Sequence, residues 1–453
     1  MIILLITIDC LRHDYILNSN SYTPTISRLS DNSHIFKNAY ATGNRTPFSF
    51  PSLLGSYYRI SQPNNKFDVR RPSIANIFQN EGYKTIGIQA ANPYLTSYFN
   101  YNVGFNKFYD FISDSNIYKK SFDSPFLNGK KQNIITKFIS YSKAIFLNKL
   151  PGVDSYKIVS FAIERLKSLK KSENIFMWLH FMDTHGTLKP PKSFHPDDSS
   201  LRYWRDIIKA KRIYMNKENI HQKKKDLNIK DLEIVKKLYL ACVNYIDYNL
   251  NILFSWLKDE GWYDDAIIIL TSDHGDAFME HDSFEHAAAN IYNELIKVPL
   301  IIKLSNQKNK KIYLKNISHI DLFPSILNHL NIHIPNDFQG KENLFNSESD
   351  HYPVFSCGRS KSIPWKISCI YKNWKLITDH SAENPKASHL FNLKIDPNEK
   401  KNYLKKEKKK VSELLKYNLE FYENFRSKDA IEEKIDDKEI KKRLISLGYI
   451  DSK

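Results

Sequence analysis

The sequence predicts an α/β protein: a mainly parallel central sheet flanked by helices, with a small α+β subdomain at the C-terminal end. Three observations lead there. Short apolar runs of strand length end in polar residues and alternate with helical patterns, which is the texture of βα units. From about Asn346 that texture gives way to short strand-like pieces with little helix between them. The chain has 453 residues, enough for one large α/β domain with an appendage or for two to three ordinary domains.

In chain order, Ile2–Ile8 reads as a strand ending at Asp9. Ser73–Glu81 reads as a helix closed by Gly82, followed by a strand over Thr85–Gln89. Ile175–Leu179 is a strand ending at His180. The long amphipathic stretch Leu232–Lys258, closed by Gly261, precedes a strand at Ala266–Leu270, which runs into Thr271-Ser272-Asp273-His274. Asn290–Lys297 has a helical pattern, and Val298–Ile302 is the next strand. Ser140–Tyr156 and Arg202–Lys230 show no regular pattern and read as irregular lids or insertions. Beyond Asn346, strand-like Ser368–Tyr371, Lys375–Thr378 and His389–Leu393 precede a helix over Val411–Phe425 and a charged tail. The expected division is a domain over 1–345 and an antiparallel-sheet subdomain over 346–453.

Composition narrows the function classes. Apolar residues make up 42% and charged residues 26%, ordinary globular usage that excludes disordered and fibrous chains. The net charge of +17 is mostly lysine, and the basic stretches Lys209–Lys237 and Lys400–Lys410 lack Gly-aromatic interleaving. They read as solvated helix faces, and no nucleic-acid partner is expected. Four scattered cysteines without a C-x-x-C pair argue against a disulfide framework or thiolate zinc site. No apolar run approaches the roughly 18 residues of a membrane span. The opening Met1–Ile8 run leads straight to Asp9 without the features of a signal peptide, so a cytoplasmic location is expected.

Ligands of such sheets bind beyond the carboxyl ends of the strands. Asp9 and the pair Asp273/His274 follow buried-type strands, which brings them to one edge. Two carboxylates and an imidazole there suit a divalent ion (Zn, Mn, Mg or Ca), although an aspartate after a strand also caps a following helix. At Arg45–Gly55, Thr46 is placed as an N-cap with Pro47 at the first helical position, and Pro51 argues against a long regular helix. A threonine hydroxyl beside a metal can attack phosphorus or sulfur; without one it is a plain cap.

Together these segments resemble the alkaline phosphatase superfamily, specifically its sulfatase-like branch, over nearly the whole chain. The opening Ile3–Asp14, Thr23–Leu29, Phe36–Tyr40 and the Thr46–Gly55 segment carry the resemblance. So do Trp178–His185, Thr271-Ser272-Asp273-His274-Gly275-Asp276, Tyr292–Ile302, Tyr371–Ile377 and Leu390–Glu399. The resemblance implies a catalytic domain over 1–345, metal ligands Asp9, Asp273 and His274, and Thr46 as nucleophile and further ligand. It also implies His185 and His286 at the transferred group or leaving oxygen, and Asn92 as a substrate donor or a turn residue before Pro93.

Three departures stand out. Cys10 occupies the place of a second aspartate, reading as a zinc ligand or a small buried thiol. Thr46 replaces the Cys or Ser of C/S-x-P-x-R, with Phe48 and Phe50 at the Pro and Arg positions, so formylglycine cannot form. Gln89-Ala90-Ala91-Asn92-Pro93 stands in place of the basic Gly-Lys-Trp-His segment. The expected activity is metal-dependent hydrolysis of a small-molecule or glycan ester, phosphoester first and sulfuric ester second. A phosphotransferase and a degenerate binding or scaffold protein are the alternatives.

Overall fold

The computed structural model describes residues 1–17, 22–62, 64–112, 153–197, 199–221, 227–286, 289–342, 344–346, 351–359, 365–380, 385–426, 435 and 437–446. Eight strands form the central sheet: β1 (Ile2–Ile8), β2 (His34–Tyr40), β3 (Lys84–Gln89), β4 (Lys107–Tyr109), β5 (Ile175–Phe181), β6 (Ile267–Ser272), β7 (Lys297–Lys303) and β8 (Lys311–Ser318). Their spatial order is β4-β3-β5-β1-β6-β7-β2-β8. β1 lies in the middle, parallel to both β5 and β6, and every residue of these three strands is buried. Continuous apolar runs such as Ile2–Leu5 and Ile267–Leu270 belong in a strand covered on both faces, because no alternate position meets water.

Among the ladders of this sheet, only those of β7 are antiparallel, to β6 on one side and β2 on the other. The βα reading of Val298–Ile302 as one more parallel strand is corrected here. The reason is the connection: between β6 and β7 the described chain forms only one turn of 3-10 helix (Glu280–Asp282) and the four-residue helix Asn293–Ile296. A parallel neighbour needs a crossover that carries the chain back to the other sheet edge, usually an α-helix, and neither of these short pieces does that. This connection stays at the carboxyl edge, so the chain re-enters the sheet in the opposite direction.

The helix Ile74–Asn80 starts from Ser73 in a capping box with Asn76, as its pattern predicts. The long helix spans Ile229–Asp259 and packs on Ser155–Lys167, Pro24–Ser30 and Ser200–Met215. The last of these corrects the reading of Arg202–Lys230 as irregular. Tyr203, Ile207, Ala210 and Tyr214 make a buried stripe at helical spacing, while Arg202, Lys209 and Arg212 point outward. A further short helix, Lys217–His221, follows. In the other region expected to be irregular, 140–152 lies outside the described residues, and Ser155 opens a helix capped by the Asp154 side chain.

The second sheet is antiparallel, in the order β12-β11-β10-β9, formed by β9 (Val354–Gly358), β10 (Trp365–Tyr371), β11 (Trp374–His380) and β12 (Lys386–Asn392). The helix Lys408–Phe425 covers β10 and β11 with Leu414 and Phe421. β9, absent from the sequence reading, is the strand that meets the main domain. Cys357 N–H donates to Thr42 O at 2.8 Å, Ser356 Oγ donates to Ala41 O at 2.6 Å, and Gly43 pairs with Cys357 in a parallel bridge. Among the described residues no helix is long and apolar enough to cross a membrane. All four cysteines are buried and unpaired.

Candidate metal and ester-transfer site

Register fixes the first part of the site. Ile8 pairs with Ser272 across β1 and β6, so Asp9 and Asp273 leave the same sheet edge side by side. Neighbouring backbone is stitched around them. Leu11 N–H donates to Ser272 Oγ at 2.8 Å, and that hydroxyl donates to Ile8 O at 2.7 Å. Thr184 Oγ1 donates to Asp9 O at 2.6 Å, tying in the end of β5. Cys10 turns the chain with φ 60°, a left-handed conformation uncommon for a residue with a Cβ. Gly275 is required for a different reason: a Cβ there would lie 2.0 Å from Glu294 O. Only glycine lets the chain after His274 pass that carbonyl.

Thr46 arrives from the opposite side on the helix Thr46–Gly55, in which Pro51 is an interior residue. The cap position belongs to Arg45 in extended conformation, so Thr46 is the first helical residue rather than the N-cap. The helix also continues through Pro51 for all ten residues; Pro47 in the first turn loses no intrahelical bond, whereas Pro51 forgoes one interior hydrogen bond without ending the helix. Thr46 Oγ1 lies 3.0 Å from Asp273 Oδ2 and 3.5 Å from Asp9 Oδ2. Asn92 Nδ2 donates to Asp9 Oδ2 at 2.9 Å and lies 3.4 Å from Thr46 Oγ1, while its Oδ1 accepts from Tyr94 N–H at 3.0 Å. Asn92 is thus both a turn residue and a donor into the site.

The electrostatics call for a cation. His274 Nδ1 faces Gly275 O at 2.8 Å, and since a carbonyl only accepts, that nitrogen carries the proton. In the neutral ring Nε2 then presents a lone pair to Asp9 Oδ1 at 3.6 Å and Asp273 Oδ2 at 3.4 Å. It makes no hydrogen bond and is fully buried. Three electron-rich atoms facing one another out of water are costly unless a positive ion joins them. Burial and the neighbouring Asp9 charge hold the Asp273 carboxyl above the usual range. At Asp9 burial acts upward, but His185, His180 and His274 outweigh it and hold that carboxyl below the usual range. No helix begins near Gly275, so Asp273 does not serve as a cap. Asp9, Asp273, His274 and the Thr46 hydroxyl fit a divalent ion, which they would hold by oxygen and nitrogen.

His185 and His286 are brought to the other side of Asp9. Their ring centroids are 5.1 Å apart, and His286 lies 4.9 Å from His274. Burial, more than any charge, lowers the pKa of both rings. Cys10 Sγ donates to Asp9 Oδ1 at 3.2 Å, and burial raises its thiol pKa.

Two residues escaped the sequence reading. His180 closes β5, and its Nε2 lies 3.4 Å from Asp9 Oδ2. Trp178 Nε1 donates to Thr7 Oγ1 at 2.9 Å, and Thr7 Oγ1 contacts His180 Nδ1, also at 2.9 Å. Nε2 is the nitrogen that faces Asp9, and a hydrogen bond from His180 helps hold that carboxyl below the usual range. Its only signal in the sequence was a histidine ending a buried strand. Lys217 comes from the helix Lys217–His221, and its ammonium pairs with Glu285 at 2.7 Å beside His286.

The chain is similar to known proteins in sequence and in fold. The profile of the family described as Sulfatase matches residues 2–332, and that of the N-sulphoglucosamine sulphohydrolase C-terminal family matches residues 280–424. The chain is 24% identical over 234 residues to an arylsulfatase of Clostridium perfringens, covering 44% of this chain and 46% of that protein. It is 26% identical over 214 residues to an N-acetylglucosamine-6-O-sulfatase of Bacteroides thetaiotaomicron, covering 43% and 37%. The matched segments thus span less than half of these curated relatives. A solved structure of a protein in complex with its substrate D-glucosamine-2-N,6-O-disulfate superposes with TM-score 0.70 at 18% identity, over 95% of this chain and 99% of that one. The phosphonate monoester hydrolase of Silicibacter pomeroyi gives TM-score 0.70 at 17% identity, over 94% and 96%. By its profile match over most of its length, this chain belongs to the sulfatase family.

Proposed function

We propose that this protein is a divalent-metal-dependent hydrolase that cleaves an ester by in-line attack of the Thr46 hydroxyl, with phosphate or phosphonate esters first and sulfate esters second. The observation that carries the reading is the position of Thr46 Oγ1, 3.0 Å from Asp273 Oδ2, the same oxygen that lies 3.4 Å from His274 Nε2. A bound ion supplies Lewis-acid charge that lowers the pKa of the hydroxyl and offsets the charge on a nonbridging oxygen.

The chain's own groups do the rest. The carboxylates of Asp9 and Asp273 orient the hydroxyl, and Asn92 Nδ2 donates toward both Asp9 and Thr46. Thr46 Oγ1 gives up its proton and bonds to phosphorus or sulfur as the ester oxygen leaves on the opposite side and takes up a proton. His185 and His286 offer N–H donors to the charge that develops there. Water then attacks the Thr46 ester, releasing the acid and restoring the hydroxyl. Threonine supports direct attack, since its Cβ bears a methyl and oxidation gives a ketone rather than formylglycine. The relatives' names support a sulfate ester as the second class, and the glucosamine disulfate complex supports a sugar carrier.

The test is turnover by purified protein given Mn, Zn, Mg or Ca, on nitrophenyl phosphate, its diester, a phosphonate monoester and the sulfate. Turnover is expected to vanish in Thr46→Ala, and an acid quench should trap a phosphoryl group on the Thr46 peptide. Turnover that survives Thr46→Ala overturns the mechanism. Product formed only with an added acceptor alcohol moves the protein to the phosphotransferases. No turnover and no retained metal identify a scaffold.

A further inference from the structure

His281 lies at the tip of the loop that delivers His286, and the Thr46-centred chemistry gives it no task. The loop closes on itself. Glu285 N–H donates to Ala277 O at 2.9 Å, Met279 N–H donates to Ser283 O at 2.7 Å, and Phe278 forms a bridge with Phe284. Met279, His281, Asp282 and Glu285 all have left-handed φ, between 48° and 69°. That conformation is costly for a residue with a Cβ and persists only where the surroundings impose it. His286 comes directly after the closing bond at Glu285, so whatever fixes the tip also fixes that imidazole.

The tip is held from both parts of the molecule. His281 Nδ1 faces Glu294 Oε1 at 2.8 Å, and Nε2 faces the backbone oxygen of Glu399, in the C-terminal subdomain, at 3.1 Å. The ring stacks on Tyr292 at 3.8 Å and 5°. Carboxylate and carbonyl oxygens only accept. A neutral imidazole has one N–H and can satisfy one of them, whereas the imidazolium satisfies both. Charge gives the same answer. Two carboxylates meet here with side chains 6% and 0% exposed, those of Glu294 and Glu399. Lys375 of β11 pairs with Glu399 at 2.6 Å, and the other Glu399 oxygen accepts from Asn293 N–H at 2.6 Å. Among the described residues no lysine or arginine forms an ion pair with Glu294. The remaining titratable neighbours are His389 of β12, which meets the far side of Tyr292 at 6.0 Å, and Asp379 of β11, which acts on both. On its own loop His281 is flanked by Asp282 and by Glu280, and Arg12 takes up Glu280 at 2.9 Å. Burial works against a charged ring, but Glu294 and Glu399 outweigh it and hold His281 above the ordinary histidine range.

We propose that His281 is a positioning residue that works as a proton-operated clasp: as the imidazolium it pins the loop carrying His286 to the C-terminal subdomain, and as the neutral ring it gives up one of its two contacts. Its effect on the reaction runs through His286, and that part rests on the proposed function. The clasp itself needs neither substrate nor metal. The folded chain holds the His281 proton more tightly than the unfolded chain does. The clasp is therefore fully closed below about pH 6.5 and opens as pH rises through the folded-state value, the proton passing to solvent.

Amide hydrogen exchange of the full-length, metal-free protein reads the clasp, with wild type and His281→Gln compared at equal pH so that the intrinsic exchange rate cancels. The peptide Ala277–His286 is expected to exchange about tenfold more slowly in wild type near about pH 6, with the ratio approaching one near about pH 9. Histidine NMR should show His281 titrating above the ordinary value, and Glu294→Gln should bring that titration down. If circular dichroism shows that His281→Gln does not fold, Glu294→Gln takes its place in the exchange comparison with the same expectation. A ratio that does not change with pH, or a His281 titration at or below the ordinary value, overturns the clasp. On an ester that wild type turns over, His281→Gln should lower kcat several-fold near about pH 6 with KM little changed, and match wild type near about pH 9. Equal kcat at the lower pH overturns the positioning role. Absence of wild-type turnover on every ester overturns the proposed function instead, and the exchange ratio still decides the clasp.

Discussion

Two clusters among the described residues offer similar ligands, and a side-chain cation lies between the carboxylates of only one of them. His195, Asp197 and Asp206 bring their donor atoms as close together as Asp9, Asp273 and His274 do. Lys237 fills the first cluster: its ammonium lies 2.7 Å from Asp197 Oδ2 and 2.8 Å from Asp206 Oδ2. Arg205 adds a contact to Asp206 at 2.9 Å. His195 Nδ1 faces the Asp197 backbone at 3.2 Å, and its Nε2 lies 3.4 Å from Asp206 Oδ2. At the sheet edge no lysine or arginine among the described residues takes that place. Arg12, the nearby candidate, is held by Asp14 at 2.8 Å and Glu280 at 2.9 Å. Carboxylates and imidazoles within reach of one another do not define a metal site; the presence or absence of a side-chain cation between them does.

The contrast can be broken at several strengths. Asp273→Asn should cost roughly 10³-fold or more in kcat/KM, since it removes a ligand and a contact to the nucleophile. Asp206→Asn should leave kcat/KM close to wild type, and steady-state kinetics on the best of the four substrates reads both. Metal at about 100 times its Kd should raise unfolding stability by about 2.7 kcal/mol in wild type and in Asp206→Asn, and by less in Asp273→Asn, as melting with and without chelator will show. Lys237→Met should destabilise by about 1–3 kcal/mol through the buried Asp206 carboxylate, discounted because the lysine is partly exposed, with the metal increment unchanged.

Smaller effects sharpen the same comparison. His180→Ala should weaken metal binding about 10–100-fold by removing the donor to Asp9, and His180→Asn should recover part of it, measured by competition with a chromogenic chelator. The two clusters should also respond to pH with opposite signs. Lys237 and Arg205 hold Asp206 below the usual carboxylate range against its burial, so its stabilising contribution disappears only as pH falls through that lowered value. Asp273 is held above the usual range in the metal-free protein, so the folded state binds the extra proton and stability declines as pH rises from roughly 4 to 7. Urea unfolding of chelated wild type should show that decline, of order 1 kcal/mol, and Asp273→Asn should not.

Much of this was legible because sheet and motif carry strong physical signatures. The apolar runs before Asp9 and Asp273 could only be strands buried on both faces, and parallel pairing then puts both carboxylates at one edge. The direction of β7 was not legible, since an apolar run has no polarity and the deciding fact is that the described connection before it carries no helix long enough to return the chain to the other edge. The helix Ser200–Met215 was hidden by its own lysines and arginines, which crowd the solvent face and mask the stripe of Tyr203, Ile207, Ala210 and Tyr214. His180 was invisible as a partner of Asp9 because its role depends on Thr7 and Trp178, which only the folded sheet lines up. The Asp206–Lys237 pair was equally out of reach, joining two helices through side chains that sequence alone reads as surface charge.

The bridge between Gly43 and Cys357 has a consequence for how this protein can change. The outermost strand of the small sheet grips residues 41–43, which lead shortly afterwards to Thr46, the proposed nucleophile. A polypeptide cut before residue 346 would keep its ligands yet lose the clamp that sets the reach of Thr46. The outer sheet is therefore a gauge for the reaction centre, and the two parts cannot be swapped independently between relatives without resetting that alignment.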